Sequence, residues 1–267
     1  MKFIGWVFAL MMGTGVAVSA AALTRLETGD ITAIEAHIDS ATLVLFDIDT
    51  TLVKTDHMLG SEAWADMMTR RYILQGMSPL QARAELTPLW NAVLIHSVVR
   101  PLDAEVQTTL RRLQRRGIRV MGISDKDPEM AYIRLEHLRL CDAHLSATAP
   151  HRGVLNIPAN ACAKMVHGVL FTGVYNNPGD VLASFLDELG YYPSNIVMIS
   201  NKAHLLHEIE TAVSHVGIPF VSVRHSGLDA IDFRSDISEV QLNLFNRVMS
   251  DDAARALQPT GTSFWPL

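Results

Sequence analysis

Ala41-Thr42-Leu43-Val44-Leu45-Phe46-Asp47-Ile48-Asp49-Thr50-Thr51-Leu52 is the stretch from which the rest of the chain is read. Leu43 to Phe46 form an unbroken apolar run of strand-forming type, as a strand buried on both faces of a parallel sheet requires. Two carboxylates follow where that strand should end. In an open α/β sheet, ligands bind outside the carboxyl ends of the strands. Asp47 and Asp49 flank Ile48, so in extended backbone their side chains point to the same side. Thr51 adds a short hydroxyl, and its backbone amide offers a further donor to an anion.

Working outward, the 267 residues are 49% hydrophobic and 19% charged, enough for a sizeable core and far from a disordered composition. The formal net charge is -6. A mildly acidic chain without a basic stripe is not a nucleic-acid binder. The one basic cluster, Arg111, Arg112, Arg115 and Arg116, ends a helix-like run, where positive charge complements the helix dipole. At the amino terminus Lys2 precedes an apolar run from Phe3 to Val18, and then Ser19, Ala20, Ala21 and Ala22. That is the layout of an export signal over residues 1–20, cut after Ala20. An uncleaved anchor is the alternative, because the run is nearly long enough to span a bilayer. The small-residue ending favours cleavage, an exported protein in the periplasm or secreted, and no stable membrane insertion afterwards. Cys141 and Cys162 could pair in such a compartment. With His144 and His167 they follow no zinc-finger spacing.

Thr24 to Ser40 reads as a lead-in helix, with Leu26, Ile31, Ile34 and Ile38 near helical spacing. After the strand of Leu43–Phe46, residues 55–98 read as two helices, one starting near Ser61 and one capped by Ser78 before Pro79. Pro101 to Arg116 is a helix closed by Gly117. A strand then runs from Ile118 to Ser124, a helix from Asp127 to Leu140, and a short strand from Val169 to Thr172 of unclear placement. Pro178 opens a helix, Asn195–Asn201 is a strand, Glu208–Val213 a helix, and Ile218–Val223 a strand. Asp236 to Ala256 is a helical tail. Strands alternating with helices predict an α/β fold with a doubly wound parallel sheet.

The pattern Asp47-x-Asp49-x-Thr51 after a buried strand resembles the first motif of the haloacid dehalogenase superfamily, over a domain of residues 21–267. The resemblance implies that Asp47 attacks phosphorus to form an aspartyl-phosphate, and that Asp49 acts as acid and then base. Ser124, ending a core strand, matches the second motif, a hydroxyl that binds the phosphoryl group. Residues 55–98 would be a helical cap inserted after the first core strand. Leu59–Trp64, Leu113–Gly117, Gly168–Thr172 and Val240–Phe245 further resemble a small family of exported, uncharacterised bacterial proteins of this superfamily.

Two motifs depart from the pattern. Where the superfamily carries Lys-Gly, this chain reads Pro178-Gly179. Among Lys126, Lys164 and Lys202, Lys202 is the first choice to replace the missing charge at the phosphate. The fourth motif, usually an Asp pair that ligates magnesium, reads Ser200-Asn201. The resemblance then implies Mg2+ held by Asp47, the backbone carbonyl of Asp49 and Asn201, in a weakened site that Asp125 or Asp127 could supplement. Two functions follow. One is a Mg2+-dependent phosphatase acting on a small phosphoester or phosphoprotein outside the cytoplasm. The other is a catalytically degenerate relative that binds a phosphorylated ligand or a protein partner.

Overall fold

A computed structural model describes residues 22–158, 162–227 and 232–249. The leader over residues 1–20 and the end of the tail helix beyond residue 249, together with the Val248 side chain, lie outside the described residues.

The described residues open with a strand, where the sequence suggested a lead-in helix from Thr24. β1 (Leu23–Thr28) pairs in parallel with the last strand along its full length, from Leu23↔Phe220 to Thr28↔His225. Its burial alternates with period two, which is the strand period. Ile31 and Ile34 then enter the core from a short 3-10 helix, Ile31–His37, capped by Asp30. Their three-residue spacing suits that tighter helix. The run expected to be the first core strand is therefore the second strand in the chain, β2 (Leu43–Asp47).

After β2 come β3 (Val53–Thr55), α1 (Glu62–Leu74), α2 (Pro79–Ile95) and β4 (Val99–Pro101). β3 and β4 form a small antiparallel ribbon from which α1 and α2 project as a hairpin. Ser61 caps α1 through the Trp64 amide, and Ser78 caps α2 in a capping box with Gln81. α3 (Ala104–Arg115) starts at the Asp103 cap, and Gly117 follows with φ 77°, the left-handed turn that glycine adopts without steric cost. β5 (Arg119–Ser124) and α4 (Ala131–Leu140) follow.

β6 (Val154–Asn156), β7 (Lys164–Val166) and β8 (Val169–Phe171) come next, then α5 (Pro178–Glu188) and β9 (Ile196–Ser200). α6 (Ala203–His215), β10 (Phe220–His225) and α7 (Ser235–Met249) are the last described elements. The main sheet has the order β1-β10-β9-β2-β5-β8-β7-β6. Six strands run parallel, and β7 and β6 extend the edge antiparallel. β8, whose position was open from the sequence, lies beside β5.

Side chains alternate across β2. Val44 and Phe46 pack with α3 and α4, through Val106, Leu110, Leu113 and Leu138. Leu43 and Leu45 pack with α5 and α6, through Val181, Leu182, Phe185 and Ile209. This is the doubly wound parallel sheet that the sequence pattern predicts. The helical hairpin has its own apolar cluster around Trp64, Met68, Leu86, Trp90 and Leu94, and Leu242 and Phe245 of α7 pack against it. Three arginines of the basic cluster at the end of α3 are ion-paired locally, Arg111 with Asp142 and both Arg112 and Arg116 with Glu35. Cys141 is buried, Cys162 is exposed, and neither is in a disulfide. Among the described residues no helix is long and apolar enough to cross a membrane.

Candidate active site

Outward from β2 the sheet continues through β5 and β8 in one direction and through β9, β10 and β1 in the other, the strands after β2 in the chain filling first one side and then the other. The order therefore reverses between β2 and β9, and a crevice opens at their carboxyl ends. Asp47 ends β2, and Ser200, Asn201 and Lys202 end β9 beside it.

Asp47 is fully buried. Its Oδ2 accepts a hydrogen bond from Ser200 Oγ at 2.7 Å. Ser200 Oγ itself accepts from the Lys202 amide at 3.0 Å, which leaves its proton for Asp47. Oδ1 makes no hydrogen bond and has the Lys202 Nζ at 3.8 Å. Burial pushes the Asp47 carboxyl up to about 7; Lys202 and Ser200 oppose that rise, while Asp49 and Asp125 add to it.

Asp49 faces a different neighbour. Its Oδ1 is 2.8 Å from Arg134 NH1, and that guanidinium is 2% exposed. Behind Arg134 stands His137, its Nδ1 3.4 Å from the same NH1. Burial, reinforced by Arg134, pushes His137 down to about 4, and its ring also bonds the Leu94 backbone. The neutral ring thus links the end of α2 to the cation that holds Asp49.

More charged groups close the crevice. Lys202 Nζ also lies 3.4 Å from Glu62 and 3.8 Å from Asp125. Lys126 Nζ is 3.1 Å from Asp125, 3.7 Å from Glu62 and 3.6 Å from the centroid of the Trp90 ring. Arg83 reaches Asp125 at 2.9 Å. Burial alone would raise the Asp125 carboxyl, but Lys126, Lys202 and Arg83 outweigh it and hold the group well below the carboxylate range. Burial would likewise lower Lys202, yet Asp125, Asp47 and Glu62 keep it well above an ordinary lysine. Lys164, by contrast, is exposed on β7.

Ser124 is buried at the end of β5, its Oγ accepting from the Lys126 amide at 3.3 Å. Thr51 Oγ1 accepts from the Asn201 amide at 3.3 Å and so ties the loop after β2 to the end of β9. Asp127 is engaged with the Val174 amide at 3.3 Å. Asn201 Oδ1 accepts from Thr50 Oγ1 at 2.7 Å, and the same hydroxyl is 2.5 Å from the Asp49 carbonyl oxygen. Two of the three oxygens that the resemblance gives to Mg2+ thus meet at a threonine hydroxyl, and the third lies beside an ammonium group. Among the described residues no cluster of three His, Cys, Asp or Glu side chains has metal-binding geometry. This donor set does not fit a magnesium ion, which takes oxygen ligands at about 2.0–2.1 Å.

The sequence brings Asp47, Asp49, Ser124, Asn201 and Lys202 to one place. It did not single out Glu62, Arg83 or Arg134. Arg134 carries a signal in retrospect: Ala131, Arg134 and Leu138 are buried at helical spacing, which sets an arginine in an apolar stripe. The third-motif position belongs to packing. A Cβ on Gly179 would lie 2.4 Å from the Glu208 carbonyl oxygen, so Gly179 lets α5 and α6 cross in close contact.

A cleft of about 630 Å³ leads toward this network, lined by Glu62, Arg83, Trp90, Asp125, Lys202 and His204 among others. Asp47 lies behind Lys202 rather than on the cleft wall.

A family model described as protein of unknown function (DUF2608) matches residues 27–255. No curated protein matches the chain. Two of the solved structures to which the chain is similar follow. One is a provisionally assigned β-phosphoglucomutase from Thermotoga maritima, 12% identical, with a TM-score of 0.38 over 70% of this chain and 97% of that one. The other is a HAD family hydrolase from Deinococcus radiodurans R1 with bound phosphate and sodium, 17% identical, with a TM-score of 0.37 over 76% of this chain and 98% of that one.

Proposed function

The chain belongs to the DUF2608 family, whose function is unknown, and from the site's own residues we propose a phosphomonoester hydrolase of haloacid dehalogenase type acting outside the cytoplasm. The carrying observation is the Asp47 carboxylate. One oxygen is held by Ser200, and the other is unbonded and lies 3.8 Å from Lys202 Nζ. A carboxylate fixed at one oxygen and free at the other is oriented for attack. Lys202 stands where a phosphoryl oxygen would carry its charge.

In this reading Asp47 Oδ1 forms a bond to phosphorus as the ester oxygen leaves. Asp49 gives that oxygen a proton. Water then attacks the aspartyl-phosphate, Asp49 takes up its proton, and inorganic phosphate and the Asp47 carboxylate are regenerated. Ser124 and Lys202 hold the phosphoryl oxygens. The substrate is a small phosphoester or a phosphoprotein admitted beneath the α1–α2 hairpin, which acts as the cap.

The test is hydrolysis of an aryl phosphate by the protein beside Asp47→Asn. The expected loss is roughly 10³-fold or more, as for removal of a nucleophile elsewhere. Folded protein with no turnover above the variant would favour a second reading, supported by the Asp49–Arg134 pair. There the acid is committed to a buried cation, and the site binds a phosphorylated ligand or partner without turnover.

A further inference from the structure

We propose that this site handles its anion without a divalent cation, the Lys202 and Lys126 ammonium groups supplying the charge and the Thr50 hydroxyl standing where a metal would be ligated. The anion half rests on the phosphoryl reading above; the metal half stands on geometry alone.

Thr50 carries the first part. Its Oγ1 lies between the Asp49 carbonyl oxygen, 2.5 Å away, and Asn201 Oδ1, 2.7 Å away. An ion using both oxygens would have to displace it. The hydroxyl is held there by backbone with φ 62°, the left-handed region, which a β-branched residue enters only at a steric cost. Glycine would adopt the same turn freely and leave the space between the two oxygens open.

Charge balance carries the second part. The carboxylates of the network are Asp47, Asp49, Glu62 and Asp125. The cations within ion-pair distance of them are Arg83, Lys126, Arg134 and Lys202. The four cations match the four carboxylates, so the network carries no surplus negative charge to draw in a dication, and an anion enters by displacing Glu62 from the two ammonium groups.

Lys202 carries the third. It is 8% exposed, and its Nζ makes no hydrogen bond, although three carboxylates stand within 3.8 Å. Its N–H donors are available to an oxyanion. Glu62, reaching from the start of α1 to both lysines, occupies with its carboxylate the position an incoming phosphoryl group would take. The ligand class is therefore a tetrahedral or trigonal oxyanion that displaces Glu62 and bridges the two ammonium groups.

The experiment is calorimetric titration of the protein, of Lys202→Gln and of Thr50→Gly, with magnesium chloride and, in buffer stripped of divalent cations on a chelating resin, with orthovanadate. Circular dichroism establishes that each variant is folded. The expected result is no heat with magnesium for the wild type, and vanadate bound in the metal-free buffer. Lys202→Gln should weaken vanadate at least about tenfold, the scale of one charge-assisted hydrogen bond. Thr50→Gly should acquire magnesium binding. Magnesium bound by the wild type, or vanadate bound only with magnesium, overturns the inference. Vanadate bound equally by Lys202→Gln overturns the role of the lysines, and a Thr50→Gly protein as silent to magnesium as the wild type overturns the role of Thr50. Vanadate bound under no condition refutes the phosphoryl reading together with the anion half, whereas the magnesium titrations still decide the metal half.

Discussion

Asp47 and Asp49 stand two residues apart on one strand end, both buried, and their surroundings are opposite. Asp47 has a neutral hydroxyl on one oxygen, an ammonium group at arm's length and a free Oδ1. Asp49 is in direct contact with a guanidinium that is itself braced by His137. Local sequence cannot produce this difference, because the two side chains share a strand and a loop. It comes from what each meets across space. Asp47 meets the end of β9, a neighbour in the sheet, while Asp49 meets α4, packed against the face of the sheet. Two carboxylates so differentiated are suited to different roles, one to attack and one to hold or move a proton.

Arg134→Met attacks the comparison at its strongest point. It leaves Asp49 buried beside no cation, and breaking a buried pair by removing one partner costs about 3–5 kcal/mol. Urea unfolding should register a loss of that size. A loss under about 1 kcal/mol would mean that the pair behaves like an exposed one.

Asp47→Asn has the opposite sign. The Asp47 carboxyl rises from 3.8 to about 7 in the folded protein, so the native state binds more protons than the unfolded chain between those values. Stability relative to the protonated form is therefore fully present below about pH 4 and lost as pH rises through about 7. The neutral isostere removes that loss and should stabilise the protein at pH 8 by on the order of 2–4 kcal/mol. His137 works in reverse. Its pKa falls from 6.5 to about 4, so stability is present above pH 6.5 and is lost as pH drops toward 4. The two slopes oppose one another over about pH 4–6.5, and the wild-type profile should be shallow there. In Asp47→Asn the profile should fall on acidification, following His137. In His137→Gln it should fall as pH rises toward 7, following Asp47, by on the order of 2–4 kcal/mol. Urea midpoints measured across that pH range check both profiles, and parallel profiles for the three proteins would break the comparison.

How far this was legible in the sequence follows from the same distinction. β2 and its carboxylates are readable because an apolar run followed by Asp-x-Asp is contiguous, and the hairpin ends are readable because Ser61 and Ser78 carry local capping signals. β1 was not. A six-residue edge strand exposes half its side chains, and Ile31 and Ile34 beyond it imitate a helical repeat. The charge network was only half readable. Asp125 and Lys126 directly follow Ser124, and Lys202 follows the fourth motif, so adjacency pointed to them. Glu62, Arg83 and Arg134 arrive from three separate helices, and nothing in a linear pattern tells a buried arginine from the usual solvated one. The replacement of Lys-Gly by Pro178-Gly179 reads as a lost charge, whereas Gly179 serves the contact between α5 and α6 and the charge comes from another strand end.

The smallest expected effect sits directly after the second aspartate. Thr50 is held at φ 62° by the turn in which its amide bonds the Val53 carbonyl at 2.8 Å. Replacement by glycine relieves a left-handed penalty of about 1–2 kcal/mol, but frees the unfolded chain by roughly 0.4–1 kcal/mol and removes a hydroxyl hydrogen bond worth about 1 kcal/mol. The net change should fall within about 1 kcal/mol of zero. Thr50→Ala keeps the penalty and loses the same hydroxyl. The glycine variant should therefore be the more stable of the two by roughly 1 kcal/mol, the reverse of the order at ordinary backbone angles. Thermal unfolding of the pair measures this directly. If alanine is the more stable, the turn is not strained at Thr50. If glycine is, the strain is localised at Thr50, the turn residue that follows the clamped carboxylate.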